Sequence, residues 1–259
     1  MIVSVHLATV GWRTTPLVLR ESPEPASIPG LRYAETVITA LLGDRLLPAP
    51  QPGRVGLIAA WEDDGAVEEF SRRHPLARRF ADGWNVRMEP LRVSGFWSGM
   101  PDLPSQERAT DDGEPVAVLT LGRLRLGRGA PFLQSAAPAE GEVLTHPGLL
   151  ASTGLARPPR LLSTFSLWRS AAEMRDYAYR KQGAHQAAVR ADRARPFHHE
   201  SAFIRFRPYS STGSWGGSDP LAAFTGVRQG PPDPIPAGED QAARVAHGSA
   251  QIERLIADQ

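Results

Sequence analysis

The chain has 259 residues, 41% hydrophobic and 22% charged, with a formal net charge of +1, the balance of an ordinary globular protein with room for one large core or two small ones. So small a net charge gives no field to gather nucleic acid or a membrane surface, and no run of about 18 apolar residues offers a transmembrane helix. The absence of cysteine excludes disulfides, zinc–thiolate sites, iron–sulfur clusters, cysteine nucleophiles and thiolate-ligated haem, leaving histidine, carboxylate or tyrosine to hold any metal.

The amino terminus, MIVSVHLATVGW, lacks a basic leader and reads as a strand over 2–10, so a cytoplasmic location follows by default. Alternating, β-branched stretches predict further strands over 30–40, 54–62 and 85–97. Between the last two, Val67, Phe70, Leu76 and Phe80 recur at helical spacing, with a bend expected at Pro75. Residues 100–115 are polar and rich in turn formers, the composition of a linker. Then the series restarts. A strand is predicted over 116–126, a weak helix over 130–146 broken at Pro138, and strands over 148–155 and 160–168. An amphipathic helix through 167–190, with a bend expected at Gly183, and a strand over 201–209 follow. Residues 221–259 read as a Pro/Gly-rich tail with a short helix around Ile252, Leu255 and Ile256.

The two series are one unit written twice. PGL recurs at Pro29 and Pro147, AAWEDDGAVEEF matches SLWRSAAEMRDY, and SGFWSG matches TGSWGG. These strings pair Trp61 with Trp168, Phe70 with Tyr177 and Trp97 with Trp215. A repeated strand–helix–strand–strand–helix–strand order makes two ferredoxin-like halves, residues 1–99 and 116–220. The expected class is α+β, with the apolar faces of the two sheets closed on each other as one α/β barrel.

The second half carries the candidate chemistry. On an unbroken helix with Met174 at roughly 0°, His185 falls near 20°, in the middle of the inward stripe and between alanines. An imidazole there has three readings: a core histidine bonded to a carbonyl, a catalytic base, or a metal ligand. Its counterpart in the first half is Arg78, so only one half carries the ring. His198 and His199 are adjacent at a strand start and point to opposite faces, which argues against a shared ion. Arg205 and Arg207 share one face of the last strand, where they either clamp a carboxylate or propionate or form a solvated face. Trp215, in GSWGGSDP, offers a flat apolar wall beside glycines. No P-loop, dinucleotide-binding glycine motif, HExxH, or GxSxG elbow occurs.

The stretches TFSLWRSAAEMRDYAYRKQGAHQAAVR and FIRFRPYSSTGSWGGSDPL, with PGLRYAET, GLIAAWEDDGAVEEF and VSGFWSG in the first half, resemble the spheroidene monooxygenase family. The likeness covers roughly residues 1–220, except that TTPLVLRESPEPAS stands where the family tends to have a longer helical segment. It implies a dimeric-type α/β barrel and haem b with His185 as proximal iron ligand; on our own reading of the strand and helix faces, Arg205, Arg207, Tyr177 and Trp215 are the further cofactor contacts expected. It also implies monooxygenation of an apolar, carotenoid-like or other secondary metabolite, with electrons from a ferredoxin-type donor. A homo-oligomer is compatible with the sequence. Two other functions stay open at this point: a non-catalytic haem carrier, and a cofactor-free barrel oxygenase or isomerase using His185 as base.

Overall fold

The computed structural model describes residues 1–21, 23–43, 49–101, 103, 112–180 and 183–224. They belong to the first of two compact units, Met1–Gln229, while the second, Gly230–Gln259, lies outside them. Most of the expected linker and the tail beyond 224, with its expected helix, also lie outside the described residues. In chain order the elements are β1 (Ile2–Thr9), α1 (Thr15–Arg20), β2 (Leu31–Leu41), β3 (Ala49–Trp61), α2 (Asp64–Arg73), α3 (Pro75–Arg78) and β4 (Trp84–Phe96). The second series is β5 (Val116–Leu124), α4 (Gly129–Leu144), β6 (Leu149–Arg157), β7 (Leu161–Trp168), α5 (Ala171–Tyr179), α6 (Ala184–Ala194) and β8 (His198–Thr212).

The strands close into a barrel in the order β1-β3-β2-β6-β7-β5-β8-β4. Each half therefore has the same internal order, β4-β1-β3-β2 and β8-β5-β7-β6, and all pairings are antiparallel. The halves meet at β2–β6 and β4–β8. This is the duplicated ferredoxin-like barrel that the repeat predicts. Period-2 alternation sends one face of every strand inward: Val3, Val5, Ile58, Met88, Leu119, Phe165, Leu167, Ile204 and Phe206 fill the interior. Trp97 and Trp215, paired by the duplication, both pack against this interior cluster.

Three elements differ from expectation. α4 runs unbroken through Pro138, because Ala137 and Ala139 beside it are buried and tertiary packing outweighs the lost backbone bond. The helix expected through 167–190 is two helices: Arg180 leaves α5 in an extended conformation and Gly183 starts α6. The barrel also continues past residue 220, since Leu221 is 1% exposed and belongs to the core. Among the described residues, no helix is long and apolar enough to cross a membrane.

The outer face of the first half is filled. α2 and α3, split by the helix-starting Pro75, lower Val67, Phe70, Leu76 and Phe80 onto Val55, Leu57, Ala59 and Trp61. Trp61 Nε1 donates to Ser4 Oγ at 2.8 Å, and the same hydroxyl lies 3.0 Å from His6 Nε2. Burial, and then the Arg87 charge, lower the His6 pKa from 6.5 to about 4. A depressed histidine pKa means that the unfolded chain binds the proton more readily. Its stabilising contribution is complete above pH 6.5 and is lost as pH falls toward 4. His6→Leu is therefore expected to flatten that part of the pH dependence of unfolding in urea; an unchanged acid limb would contradict it.

Candidate functional site

The corresponding space in the second half is built from smaller side chains. In β1 and β3, His6 pairs with Leu57, and both are buried. At the matching place in β5 and β7, Thr120 pairs with Thr164. Both threonines are only half-buried although they sit mid-sheet, as are Ser166 and Phe203 on the same outward face. Next to Ser166 on that face stands Ser152, whose buried Oγ has no hydrogen-bond partner among the described residues. A buried unpartnered hydroxyl is costly unless something else meets it.

The roof over this floor is α4, α5 and α6. At one end the packing is apolar and tight, with Val116, Val118, Val143, Trp168, Ala171, Met174 and Ala178 in one cluster. Away from it, α6 packs on α4 and α5 and contributes no buried residue. Its start is held by α4, since Ala184 N–H donates to Glu142 Oε2 at 2.7 Å. With its inner stripe only partly buried, α6 does not seal the outer face of this sheet as α2 and α3 seal that of the first half.

His185, in the first turn of α6, is half-buried. Its ring lies 5.4 Å from Tyr177, tilted by 43°. Tyr177 is fixed by its hydroxyl, which donates to the Ala139 carbonyl at 2.9 Å, and by stacking on Trp168 at 5.4 Å. This Trp168–Tyr177 pair repeats Trp61–Phe70 of the first half, at 5.0 Å. Burial lowers the His185 pKa against the opposing pull of Glu142, so the ring is neutral at pH 7. Neither of its nitrogens makes a hydrogen bond among the described residues. The chemistry available is that of a neutral imidazole with a free lone pair. Arg78, the counterpart residue, is exposed, and its neighbours Leu76 and Ala77 occupy the equivalent depth.

At the far end of α6 the structure brings in His198, which the sequence offers only as a poor partner of His199 for a shared ion. His198 Nδ1 lies 3.4 Å from Asp192, its side chain is 14% exposed, and its ring packs edge-on to Phe132 at 5.0 Å. It covers Gly122, where a Cβ would come within 2.7 Å of the ring. A register shift between Arg123 and Leu124 turns it onto the outer face, against simple alternation. His185 and Asp192 are seven residues apart, two helical turns on one face and about 10 Å along the axis.

The other expected contacts fall in different places. Arg205, paired with Val118, lies on the outward face of the sheet and is 6% exposed. Arg207, one step along, is ion-paired with Glu89 across β4–β8. Trp215 packs on Trp84 at 5.1 Å and on Phe165 at 6.2 Å. Phe165 belongs to the barrel interior, so Trp215 lies across the sheet from His185 and Tyr177 and does not share their site. Among the described residues no three histidine, aspartate or glutamate side chains gather as a metal cluster.

No protein-family model matches the chain. It is 34% identical over 194 residues to the spheroidene monooxygenase of Rubrivivax gelatinosus, covering 73% of each chain. To the spheroidene monooxygenase of Rhodobacter capsulatus it is 28% identical over 187 residues, 70% of this chain and 77% of that one. Among solved structures, an aldoxime dehydratase in complex with butyraldoxime overlaps 81% of this chain and 79% of its own at 10% identity, with a TM-score of 0.47. That last likeness is too loose to bear on chemistry.

Proposed function

The chain belongs to the spheroidene monooxygenase family of oxidoreductases, and from that premise we propose that it is a haem-dependent monooxygenase acting on an apolar small molecule. Haem b would sit between the second-half sheet and helices α4–α6, with His185 as the protein ligand to iron. The observation that carries this reading is His185 itself: half-buried, with both ring nitrogens unpartnered among the described residues. It stands beside a floor of short side chains at the place where the duplicated half is packed solid. The unpartnered Ser152 hydroxyl on that floor fits the same reading, because a buried polar atom in a binding gap is satisfied by what enters it.

When bound, haem would supply the activation of oxygen, which no side chain here can perform. The chain supplies the surroundings. His185 offers a neutral lone pair, with its ring walled by Tyr177. Arg205 brings a buried guanidinium to the same face, suited to a propionate by charge-assisted hydrogen bonding. The cluster around Met174 and Trp168 closes one end against water. A ferredoxin-type protein is the proposed electron donor. The test is incubation of the haem-supplied protein with ¹⁸O₂, a reductant and a long polyene, followed by mass spectrometry. One labelled oxygen per product molecule is expected; unlabelled product, or none from any apolar substrate, would overturn the reading.

A further inference from the structure

A second feature of the chain is independent of the haem site. The turn at Gly11, whose carbonyl accepts from both Thr14 and Thr15 N–H, leads directly into α1. On this short helical segment Thr15 and Val18 are buried against the sheet. The opposite, solvent face carries positions 12, 13, 16, 17 and 20 at helical spacing: Trp12, Arg13, Pro16, Leu17 and Arg20, all exposed. A surface helix normally turns charged and polar residues outward. Here Trp12 is 67% exposed and Leu17 50%. Arg13 lies over the Trp12 ring, 5.0 Å from its centroid.

The charge carried by α1 and the turn before it is cationic only. From Met1 to Arg20 the sequence contains no aspartate or glutamate. The nearest carboxylate in sequence, Glu21, is taken by Arg79 at 3.0 Å. Arg54 pairs opposite Thr9 at the base of the turn and adds a further cation. The end of β2, which runs parallel to β1 because both pair antiparallel with β3, projects Leu41 at the same end of the barrel, 56% exposed. A net charge near zero therefore conceals a local face that is apolar and cationic together.

We propose that this face docks the protein on a lipid bilayer with anionic headgroups. Trp12, Pro16 and Leu17 would enter the headgroup–acyl boundary, where an amphipathic tryptophan is favoured, while Arg13 and Arg20 meet the phosphates. The bilayer accounts for both features of the face, since a protein partner of ordinary composition has no need of arginines flanking a protruding tryptophan and leucine.

The test is co-sedimentation of the full chain with phosphatidylcholine vesicles, with and without phosphatidylglycerol, together with tryptophan emission. Binding to the anionic vesicles is expected, weakening with salt, with a blue shift in emission that Trp12→Phe removes. Trp12→Ala with Leu17→Ser, and separately Arg13→Glu with Arg20→Glu, should each weaken binding by about tenfold or more. All four side chains are exposed, so thermal unfolding of the variants should match that of the parent. Absence of vesicle binding by the full chain, or equal binding by parent and variants, would overturn the proposal. So would a concentration-dependent dimer in light scattering that Trp12→Ala dissociates, which would make the face a self-association surface. None of these outcomes depends on haem, so failure here and failure of the oxygenase reading are separable.

Discussion

Trp61→Ala is expected to lower the free energy of unfolding by about 3–5 kcal/mol, the range for deleting a fully buried aromatic side chain. Trp61 is 0% exposed, packs 5.0 Å from Phe70, and gives its indole N–H to Ser4. The cavity cannot collapse readily, because the surrounding Leu57, Val67 and Leu76 are held by the barrel on one side and by two helices on the other. Removing the indole also takes away the donor to Ser4, whose hydroxyl keeps only the neutral His6 as partner. Chemical denaturation would read the loss as a shifted midpoint with an unchanged slope. A cost below about 1 kcal/mol would mean that the first half is not the packed half described above.

Thr164→Phe should behave in the opposite way. In a filled core, adding so much volume costs about 1–3 kcal/mol through strained rotamers and backbone shifts. Thr164 is half-buried on the outward face that α6 does not seal, so the new ring is expected to find room there. The expected result is a stability change under about 1 kcal/mol together with at least about a tenfold fall in haem affinity. Leu57→Phe, at the matching place in the first half and 1% exposed, supplies the contrast and should show the full overpacking cost. If the two variants destabilise equally, no gap exists and the floor of threonines is ordinary packing.

Much of the fold was legible because period-2 alternation and the recurring tryptophans are local signals. Trp61 and Trp168 do occupy equivalent positions, each donating its indole N–H to a serine, Ser4 and Ser166. The rest depends on interactions that a window of sequence does not contain. The break expected at Pro138 does not form, because the buried alanines on either side keep α4 whole. A helical wheel through 167–190 loses its phase at Arg180–Gly183, where the chain turns. His185 still meets Tyr177, but because Glu142 of α4 seats the start of α6, a tertiary contact with no local signature. The position of His198 is set by a similar tertiary effect. Alternation from Phe203 and Arg205 sends it to the wrong face, and only the register shift against Leu124 turns it toward Phe132. Trp215 illustrates the converse limit: glycines beside an aromatic describe a turn, while which side of the sheet the ring plugs is set by the whole barrel.

The measurement that bears most directly on the site is a haem titration followed by absorption, on the wild-type protein and on His185→Ala. One haem per chain with a Soret band in the wild type is expected, with that band lost or shifted in His185→Ala and restored by added imidazole, which returns the missing ligand. A wild type that takes up no haem, or a variant whose spectrum and stoichiometry match the wild type, would contradict His185 as the iron ligand and return it to the role of a base or a half-buried core histidine.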